Sequence, residues 1–278
     1  MSQSMSKAEA KAGKKKNELL ETIIVIIEAL AIALIFRTFL YQPFSIPTAS
    51  MQQTLMIGDY FIANKWTWGF GKYSFPIALP FNGRLFGGQP QRGDVAVFRN
   101  EITNEDYIKR VIGMPGDRIQ MKEGRLYIND VMVERQRIED YVNPDRPGMG
   151  PVPQYMETLP GGLTHRIIEE AGDLGGNDQT QTFVVPAGHY FMMGDNRDGS
   201  ADSREMDRAK MSSDAKCQGE VIDASASDCF NKVGFVPKEN LIGPAKILFW
   251  SYDSSNQWYN PITWITALRF GRLFNVID

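Results

Sequence analysis

The chain has 278 residues, enough for one large domain or two small ones, and its 43% hydrophobic content is that of a folded globular protein rather than a disordered one. A formal net charge of −3 gives no general attraction for nucleic acid. The two histidines and two cysteines are too few for a histidine-rich metal site or a disulfide-built scaffold. A Ser-His-Asp triad would depend on one of just two histidines.

Residues 19–40 form a predominantly apolar segment of membrane length. As a helix, this segment would span about 33 Å, enough to cross a bilayer. Five lysines precede it, whereas Arg37 is the single basic residue between positions 19 and 64. The excess of positive charge predicts a cytoplasmic basic tail over residues 1–18, a transmembrane anchor over 19–40 and a domain across the membrane over 41–278.

Two other interpretations of the apolar segment stay open at this stage. A cleaved signal peptide has the same order of charges, but cleavage after Ala49 would put Pro47 at the −3 position, where a small residue is expected. A buried core helix is the other alternative. Glu28 interrupts the apolar run; inside a membrane its carboxyl group could be protonated or could face another helix.

The remainder of the chain has the pattern of a mainly β protein. Short apolar runs bounded by turn residues predict strands and a hairpin at 92–98, 106–112, 118–129, 183–186, 189–193, 234–237 and 245–250. Residues 135–181 are rich in Pro, Gly, Asn and Asp, which predicts a less regular insertion. Residues 205–232 are polar and carry both cysteines. We therefore expect an inserted subdomain at about 118–182 and a polar insertion at about 205–232.

Lys109 is the residue with the clearest chemical implication, because it lies inside the apolar run YIKRVIG. A buried ammonium is costly, and the cost is relieved when the lysine pKa falls until the amine is neutral near pH 7. A neutral amine beside a hydroxyl can act as a general base. Ser50, in the segment PTASM just after the anchor, is the candidate hydroxyl. Asp106 is three positions from Lys109, so in a strand it points to the opposite face.

These residues also have ordinary structural interpretations. Ser50 could cap a turn, and Lys109 could lay its stem over apolar surface with its charge in water. Residues 195–204 could be only a charged turn. The functional interpretation requires Ser50 and Lys109 to lie together, and it predicts a serine hydrolase that works at a membrane surface.

Four segments, in this order behind an N-terminal anchor, resemble those of bacterial type I signal peptidases (leader peptidases). They are PTASM at 47–51, RGDVAVF at 92–98, YIKRVIGMPGD at 107–117 and GDNRDGSADSR at 194–204. The third and fourth are long and specific, and the resemblance extends from the anchor to about residue 250. It implies a mainly β catalytic domain of two antiparallel sheets, barrel-like in arrangement, with an inserted subdomain and one N-terminal transmembrane helix.

The resemblance also implies an activity and a set of site residues. The chain would be a serine endopeptidase that removes signal peptides from exported proteins after small residues (A-x-A), with Ser50 as nucleophile and neutral Lys109 as general base. The Thr48 hydroxyl and the Ser50 backbone N–H would bind the oxyanion. Ser200 would orient the amine, Asp202 and Arg204 would form a supporting ion pair, and Asp195 and Arg197 would hold the glycine-rich turn together. The matching wall residues of the substrate pockets are Phe44, Ile46, Met51 and Ile108.

The expected location is the bacterial inner membrane, crossed once, with the N-terminus in the cytoplasm and the catalytic domain in the periplasm. Expected partners are signal-peptide-bearing precursors and the lipid bilayer, with the secretion machinery as a candidate; nucleic acid, metal and organic cofactors are not implied. Alternatives are a dedicated Ser/Lys maturation peptidase of a conjugation system and a non-catalytic anchored β module. In an oxidising periplasm Cys217 and Cys229 are predicted to form a disulfide away from Ser50 and Lys109, the alternative being two free thiols.

Overall fold

The computed structural model of the chain describes residues 2–75, 80, 83–146, 148, 150–253, 259–260 and 262–277, without the side chains of 2–17 and 264. For the predicted cytoplasmic tail the structure thus describes the backbone but not the lysine side chains. The described part consists of a long N-terminal helix followed by a mainly β domain.

Helix α1, Ser2–Phe39, contains the apolar segment. Its part Glu18–Phe39, 22 residues long, is the one helix in the described ranges that is long and apolar enough to cross a membrane. No residue of its most apolar 18-residue window is buried, although Thr38 near the end of the helix is, so the alternative of a buried core helix is wrong. The apolar side chains, Leu30 and Ile32 among them, are exposed, as is Glu28.

The strands that follow are mostly short and antiparallel. They are β1 (Tyr41–Ser45), β2 (Asp59–Asn64), β3 (Val95–Asn100), β4 (Glu105–Gly113), β5 (Arg118–Lys122), β6 (Arg125–Ile128), β7 (Val131–Met132), β8 (Glu134–Arg137), β9 (Gln154–Thr158), β10 (Thr164–Ile168), β11 (Thr182–Val184), β12 (His189–Met193), β13 (Val221–Ile222), β14 (Val236–Pro237) and β15 (Leu241–Ser251). Two short α-helices, α2 (Arg208–Ser213) and α3 (Thr263–Thr266), and five short 3₁₀ helices complete the regular elements of the described residues.

The main sheet has seven strands in the order β1-β2-β15-β3-β4-β12-β14. The long strand β15 pairs with β3 through its first half and with β2 through its second half, and both pairings contain register shifts. Such bulges bend and twist a strand. The sheet therefore curls, although in the described residues it does not close, because β1 and β14 remain its edges. The predicted mainly β, antiparallel fold behind one apolar helix is confirmed.

Two smaller sheets have the strand orders β10-β9-β8 and β13-β11-β5-β6-β7. Their strands lie between β4 and β12 in the chain, except β13, which follows β12 and pairs with β11. Strands β8, β9 and β10 lie in the stretch that the sequence predicted to be less regular. The polar character of that stretch concealed its strands, because side chains such as Glu157 and His165 are buried there among other charged groups. Polar strands of this kind lack the apolar alternation on which a strand prediction depends.

The disulfide lies in the core of the five-stranded sheet. Cys217 and Cys229 are joined, as the sequence predicted, and both are fully buried. They belong to the same apolar cluster as Phe183 and Ile222, whereas Met51, next to Ser50, belongs to a different cluster. The cross-link therefore stabilises the insertion at 205–232 rather than the region around Ser50.

Replacing both cysteines with alanine should lower the free energy of unfolding by about 3 kcal/mol, since the 12-residue separation closes a loop of moderate length in the unfolded chain. Chemical denaturation of the variant and the native chain measures this difference. Reducing agent should destabilise the native chain and leave the double variant unchanged. Equal stability of the two proteins under oxidising conditions would contradict a structural role for the cross-link.

Candidate active site

Ser50 and Lys109 are 59 positions apart in sequence and meet in the structure. Lys109 Nζ donates a hydrogen bond to Ser50 Oγ at 2.7 Å. Ser50 lies in the turn after β1 and Lys109 on β4, and the two residues are 6% and 4% exposed. A hydroxyl therefore lies within proton-transfer distance of an amine that is shielded from water.

The turn that carries Ser50 is held by backbone hydrogen bonds. The Gln52 N–H donates to the Ala49 carbonyl at 3.0 Å, which forms the turn itself. The Asn196 N–H donates to the Ser50 carbonyl at 3.2 Å, which joins this turn to the segment 194–204. The Ser50 hydroxyl is thus positioned by two separate parts of the chain.

The amine of Lys109 is easier to deprotonate than an ordinary lysine. Burial lowers the pKa of Lys109 from 10.5 to about 8; the carboxylates of Asp202 and Asp195 act in the opposite direction, and Arg204 assists the lowering. At pH 7 about a tenth of such amines are neutral, against fewer than one in a thousand for a free lysine.

The immediate neighbours of the amine are neutral groups rather than carboxylates. Lys109 Nζ also donates to the Ile108 carbonyl at 3.1 Å and lies 5.5 Å from the centre of the Tyr107 ring. Asp106 forms an ion pair with Arg99 at 3.1 Å instead, as strand alternation predicted. No carboxylate among the described residues forms an ion pair with Lys109.

The two nearest carboxylates are bound by arginines. Asp202 accepts two hydrogen bonds from Arg204, at 2.9 and 2.8 Å, so the predicted ion pair is present in the structure. Asp195 accepts two from Arg110, at 2.9 and 2.8 Å. All four side chains are buried, and each bidentate pair neutralises a charge that would otherwise stabilise a lysine ammonium.

Gly194 lies where no side chain fits. An added Cβ would be 2.3 Å from Ser200 Oγ and 2.4 Å from the Ser50 carbonyl oxygen. The Gly194 N–H donates to Asp202 Oδ2 at 3.0 Å, which fixes this backbone against the ion pair. A glycine is therefore required for the segment 194–204 to pack against the turn that carries Ser50.

The resemblance implied a hydrogen bond from Ser200 to the Lys109 amine, and the structure does not have it. The Ser200 hydroxyl is buried and has no hydrogen-bond partner among the described residues. The hydroxyl faces Asp202 instead. Burial alone would raise the pKa of Asp202, but Arg204, the Gly194 N–H and Ser200 together hold this pKa below its ordinary value.

Asp195 and Arg197 do not pair with each other but fasten the turn to two different strands. Asp195 binds Arg110 on β4 and accepts a hydrogen bond from the Thr54 hydroxyl at 2.5 Å. Arg197 binds Glu157 on β9, with Nη1 and Oε1 3.0 Å apart. The sequence named no partners for these two residues; in the structure β4 and β9 supply the opposite charges.

Three buried residues of this network were not singled out from the sequence. Arg110 stands next to Lys109 in the quoted run and could have been recognised there. Glu157 and His165 lie in the insertion, where no motif marks them. His165 lies between Glu157 and Asp195, at 3.5 and 3.8 Å, and burial lowers the pKa of His165 to about 4, so the imidazole is neutral at pH 7.

Thr48 lies beside the Ser50 hydroxyl, with the two side-chain oxygens 3.4 Å apart, and its side chain is exposed. No described group accepts a hydrogen bond from the Ser50 backbone N–H. A hydroxyl and a free N–H are therefore available together next to Ser50 Oγ, the arrangement that binds the oxyanion of a tetrahedral intermediate.

A cleft of about 410 Å³ opens on Ser50 and Lys109. Of the four residues expected to form its walls, Phe44 and Ile108 line it. Ile46 and Met51, 3% and 0% exposed, lie in the core instead, so their assignment to the walls is corrected. Other lining residues are Ser45, Pro47, Thr48, Phe61, Val97, Glu105, Asp106, Tyr107, Gly199 and Ala201.

Two unpaired strand edges flank this cleft. Strand β4 pairs with β3 from Glu105 to Arg110, but β12 pairs with β4 only from Arg110 onward. Residues 105–109 therefore have a free side. Strand β1 is an edge of the sheet and pairs only with β2 in the described residues. The curl of the sheet brings both edges to one cleft.

Known proteins are similar to this chain over most of its length. The chain matches the family described as signal peptidase, peptidase S26, over residues 19–250. A signal peptidase I of Rickettsia typhi is 36% identical over 265 residues, 88% of this chain and 89% of that protein. A signal peptidase I of Rickettsia akari is 36% identical over 267 residues, 88% of each chain.

A crystal structure of a signal peptidase I from Enterococcus faecalis V583 matches with 23% sequence identity. The match covers 56% of this chain and 97% of that chain, with a TM-score of 0.29.

Substituting Gly194 with alanine should displace either Ser200 or the Ser50 carbonyl and thereby misplace the Ser50 hydroxyl. We expect reaction of Ser50 with an acylating serine reagent to fall at least about tenfold, since a misplacement of about 1 Å can lower a rate a hundredfold. Peptide mass mapping of the labelled residue measures the effect. The matched control is Gly150→Ala, since a Cβ there meets nothing within 4 Å. Unchanged labelling in Gly194→Ala would contradict the packing argument.

Proposed function

The chain belongs to the signal peptidase, peptidase S26, family, and on that premise we propose that it is a membrane-anchored serine endopeptidase that removes N-terminal signal peptides with Ser50 as nucleophile and Lys109 as general base. Family membership supports the activity as a serine peptidase that cleaves signal peptides. The observation that supports the assignment of the two residues is the 2.7 Å hydrogen bond between Ser50 and a buried lysine of lowered pKa.

In this mechanism, neutral Lys109 takes the proton of the Ser50 hydroxyl as the Ser50 oxygen attacks the carbonyl carbon of the scissile bond. The Ser50 N–H and the Thr48 hydroxyl donate to the oxyanion that forms. Protonated Lys109 then gives its proton to the departing amine, which breaks the peptide bond and leaves an ester on Ser50. A water molecule, deprotonated by Lys109, then attacks this ester. The bond between the acyl carbon and Ser50 Oγ breaks, Lys109 returns the proton to Ser50 Oγ, and the signal peptide leaves with a new carboxylate.

Ser200, Asp202, Arg204, Asp195 and Arg197 act in this proposal as positioning residues. Arginine binding keeps the Asp202 and Asp195 carboxylates from pairing with Lys109, so the amine can lose its proton. Ser200 packs against Gly194 and thereby supports the backbone beside Ser50. None of these groups has to change protonation state during the reaction.

The substrate is proposed to bind as an extended strand between the two free edges. The backbone of residues 105–109 and the outer side of β1 both carry unpaired hydrogen-bonding groups. A peptide laid between them would add a strand to the curled sheet, which is β-augmentation. This mode recognises the backbone of the substrate and so tolerates many sequences.

In this proposal, the walls of the cleft account for the preference for small substrate residues at positions −1 and −3, counted back from the cleaved bond. Successive side chains of an extended peptide point to opposite faces, so −1 and −3 share one face. In the proposal that face meets Phe44, Ile108 and Val97, which leave shallow apolar space near Ser50. Alanine fits there, and larger side chains collide. The A-x-A preference therefore results from steric exclusion of larger side chains.

The membrane location proposed for the enzyme is the inner membrane, with residues 1–18 in the cytoplasm, 19–40 across the bilayer and the catalytic domain, 41–278, in the periplasm. The exposed apolar surface of Glu18–Phe39 supports the anchor, and the lysines before it support the orientation. Anchoring confines the enzyme and its substrates to one surface and raises their effective concentration. In addition to precursors and lipid, the secretion machinery is a proposed partner.

Ser50→Ala and Lys109→Met should each abolish cleavage of a purified precursor that has alanine at −1 and −3. Lys109→Met should also raise the free energy of unfolding at pH 7, by up to about 3 kcal/mol, because the buried amine no longer has to lose solvation or its proton. Gel assays of precursor processing and chemical denaturation measure the two effects.

Lys65→Met is the matched control for these variants. Lys65 is also buried, 1% exposed, and burial lowers its pKa to about 8 as well, but its amine donates to the Ser74 carbonyl rather than to a hydroxyl. Processing should survive in Lys65→Met. A second control, phenylalanine at −1 of the precursor, should block cleavage by the native enzyme. Processing by folded Ser50→Ala or Lys109→Met would refute the assignment.

The pH dependence of kcat/KM should follow deprotonation of Lys109. Since the general base must be neutral and its pKa is about 8, the rate should rise about tenfold between pH 7 and pH 9 and then level off. The rise should persist in Lys65→Met, which removes the other lysine of similar pKa. A flat profile across this range in the native enzyme would mean that another group, or none, acts as the base.

A further inference from the structure

A cluster of three carboxylates lies next to the segment 194–204 and has no part in the mechanism above. Asp198 belongs to that segment, Glu169 follows β10, and Asp178 lies in the loop between β10 and β11. One oxygen from each of the three residues lies within 4.8 Å of the other two. Three carboxylates this close repel one another unless something positive lies between them.

Two of these carboxylates are buried and incompletely paired. Glu169 is 0% exposed and Asp178 is 3% exposed. Glu169 Oε2 and Asp178 Oδ1 have no hydrogen-bond partner among the described residues. Buried carboxylate oxygens normally have partners, because an unpaired charge away from water is strongly unfavourable.

The neighbouring arginines do not supply the missing charge. Arg135 Nη1 lies 3.4 Å from Glu169 Oε1, which is a weak contact, and its Nη2 is bound to Asp173 at 2.5 Å. Arg197 and Arg204 are each occupied by a carboxylate outside the cluster, as described above. The described arginines therefore leave this cluster without a close positive partner of its own.

The surrounding backbone leaves space and access for an ion. The Gly175 N–H donates to Asp178 Oδ2 at 2.6 Å, and a Cβ at Gly175 would lie 1.8 Å from Asp198 Oδ1. The loop can thus approach the carboxylates only because it has glycine there. Asp198 also lines a polar cavity of about 550 Å³ together with Gly176 and Asn177, through which an ion and its water ligands can enter.

We propose that Glu169, Asp178 and Asp198 bind a calcium ion that fastens the loop 169–178 to the segment carrying Ser200. Carboxylate oxygens are the preferred ligands of calcium, which accepts six to eight of them in flexible geometry. Magnesium demands a near-ideal octahedron and usually binds one or two carboxylates, so three converging carboxylates favour calcium. The ion stabilises the fold and takes no part in cleavage, so the inference goes beyond the proposed function.

Thermal unfolding of the full chain in detergent micelles tests the site. After removal of metal with EDTA, calcium chloride at about 10–100 times a millimolar-range Kd should raise the Tm by about 3–8 °C. Asp178→Asn should lose most of this rise. The matched control Asp130→Asn removes an exposed carboxylate outside the cluster and should keep the rise. Equilibrium dialysis with radioactive calcium should give one ion per native chain.

A native chain that binds no calcium in dialysis would overturn the proposal, as would an equal Tm rise in native protein and Asp178→Asn. A rise produced by magnesium and not by calcium would overturn the choice of ion. Glu169→Gln is the second variant, to be used if Asp178→Asn does not fold, and the same loss is expected. Neither measurement depends on peptide cleavage, so failure of this proposal and failure of the proposed function remain distinguishable.

Discussion

The desolvation of one amine is the constraint around which the candidate site is organised. Lys109 can be neutral near pH 7 only if no opposite charge reaches it, although two carboxylates lie close enough to affect its pKa. The structure meets this requirement by giving each carboxylate its own bidentate arginine. The two ion pairs are both needed, because removal of either arginine would leave an unpaired, buried carboxylate near the amine.

The same ion pairs determine the position of the segment 194–204. Asp195 ties it to β4, Arg197 ties it to β9, and the Asn196 N–H reaches the Ser50 carbonyl. The insertion therefore contributes to the site through Glu157, although no residue of β8, β9 or β10 lines the cleft. One buried network of ion pairs therefore both neutralises the carboxylates near Lys109 and positions the segment beside Ser50.

The sequence predicted the mainly β fold, the apolar helix and the encounter of Ser50 with Lys109, because each depends on local pattern or on a long motif. The walls of the cleft were predicted only in part: Phe44 and Ile108 line it, whereas Ile46 and Met51, which lie beyond the end of β1, pack into the core. The partners of Asp195 and Arg197 were not predicted, because buried ion pairs join positions far apart in sequence and leave no periodic signal. The strands at 134–168 were concealed for the same reason.

The open, curled sheet has a consequence for turnover. A row of backbone groups that accepts one extended peptide accepts others equally well, including the signal peptide that has just been cut away. In the proposed binding mode, every hydrogen bond that secures the precursor would also delay departure of the product, since the released strand presents the same amides and carbonyls. Rapid catalysis therefore requires these edges to bind weakly, and stiff strand mimics that lose little entropy on binding should make effective competitive inhibitors.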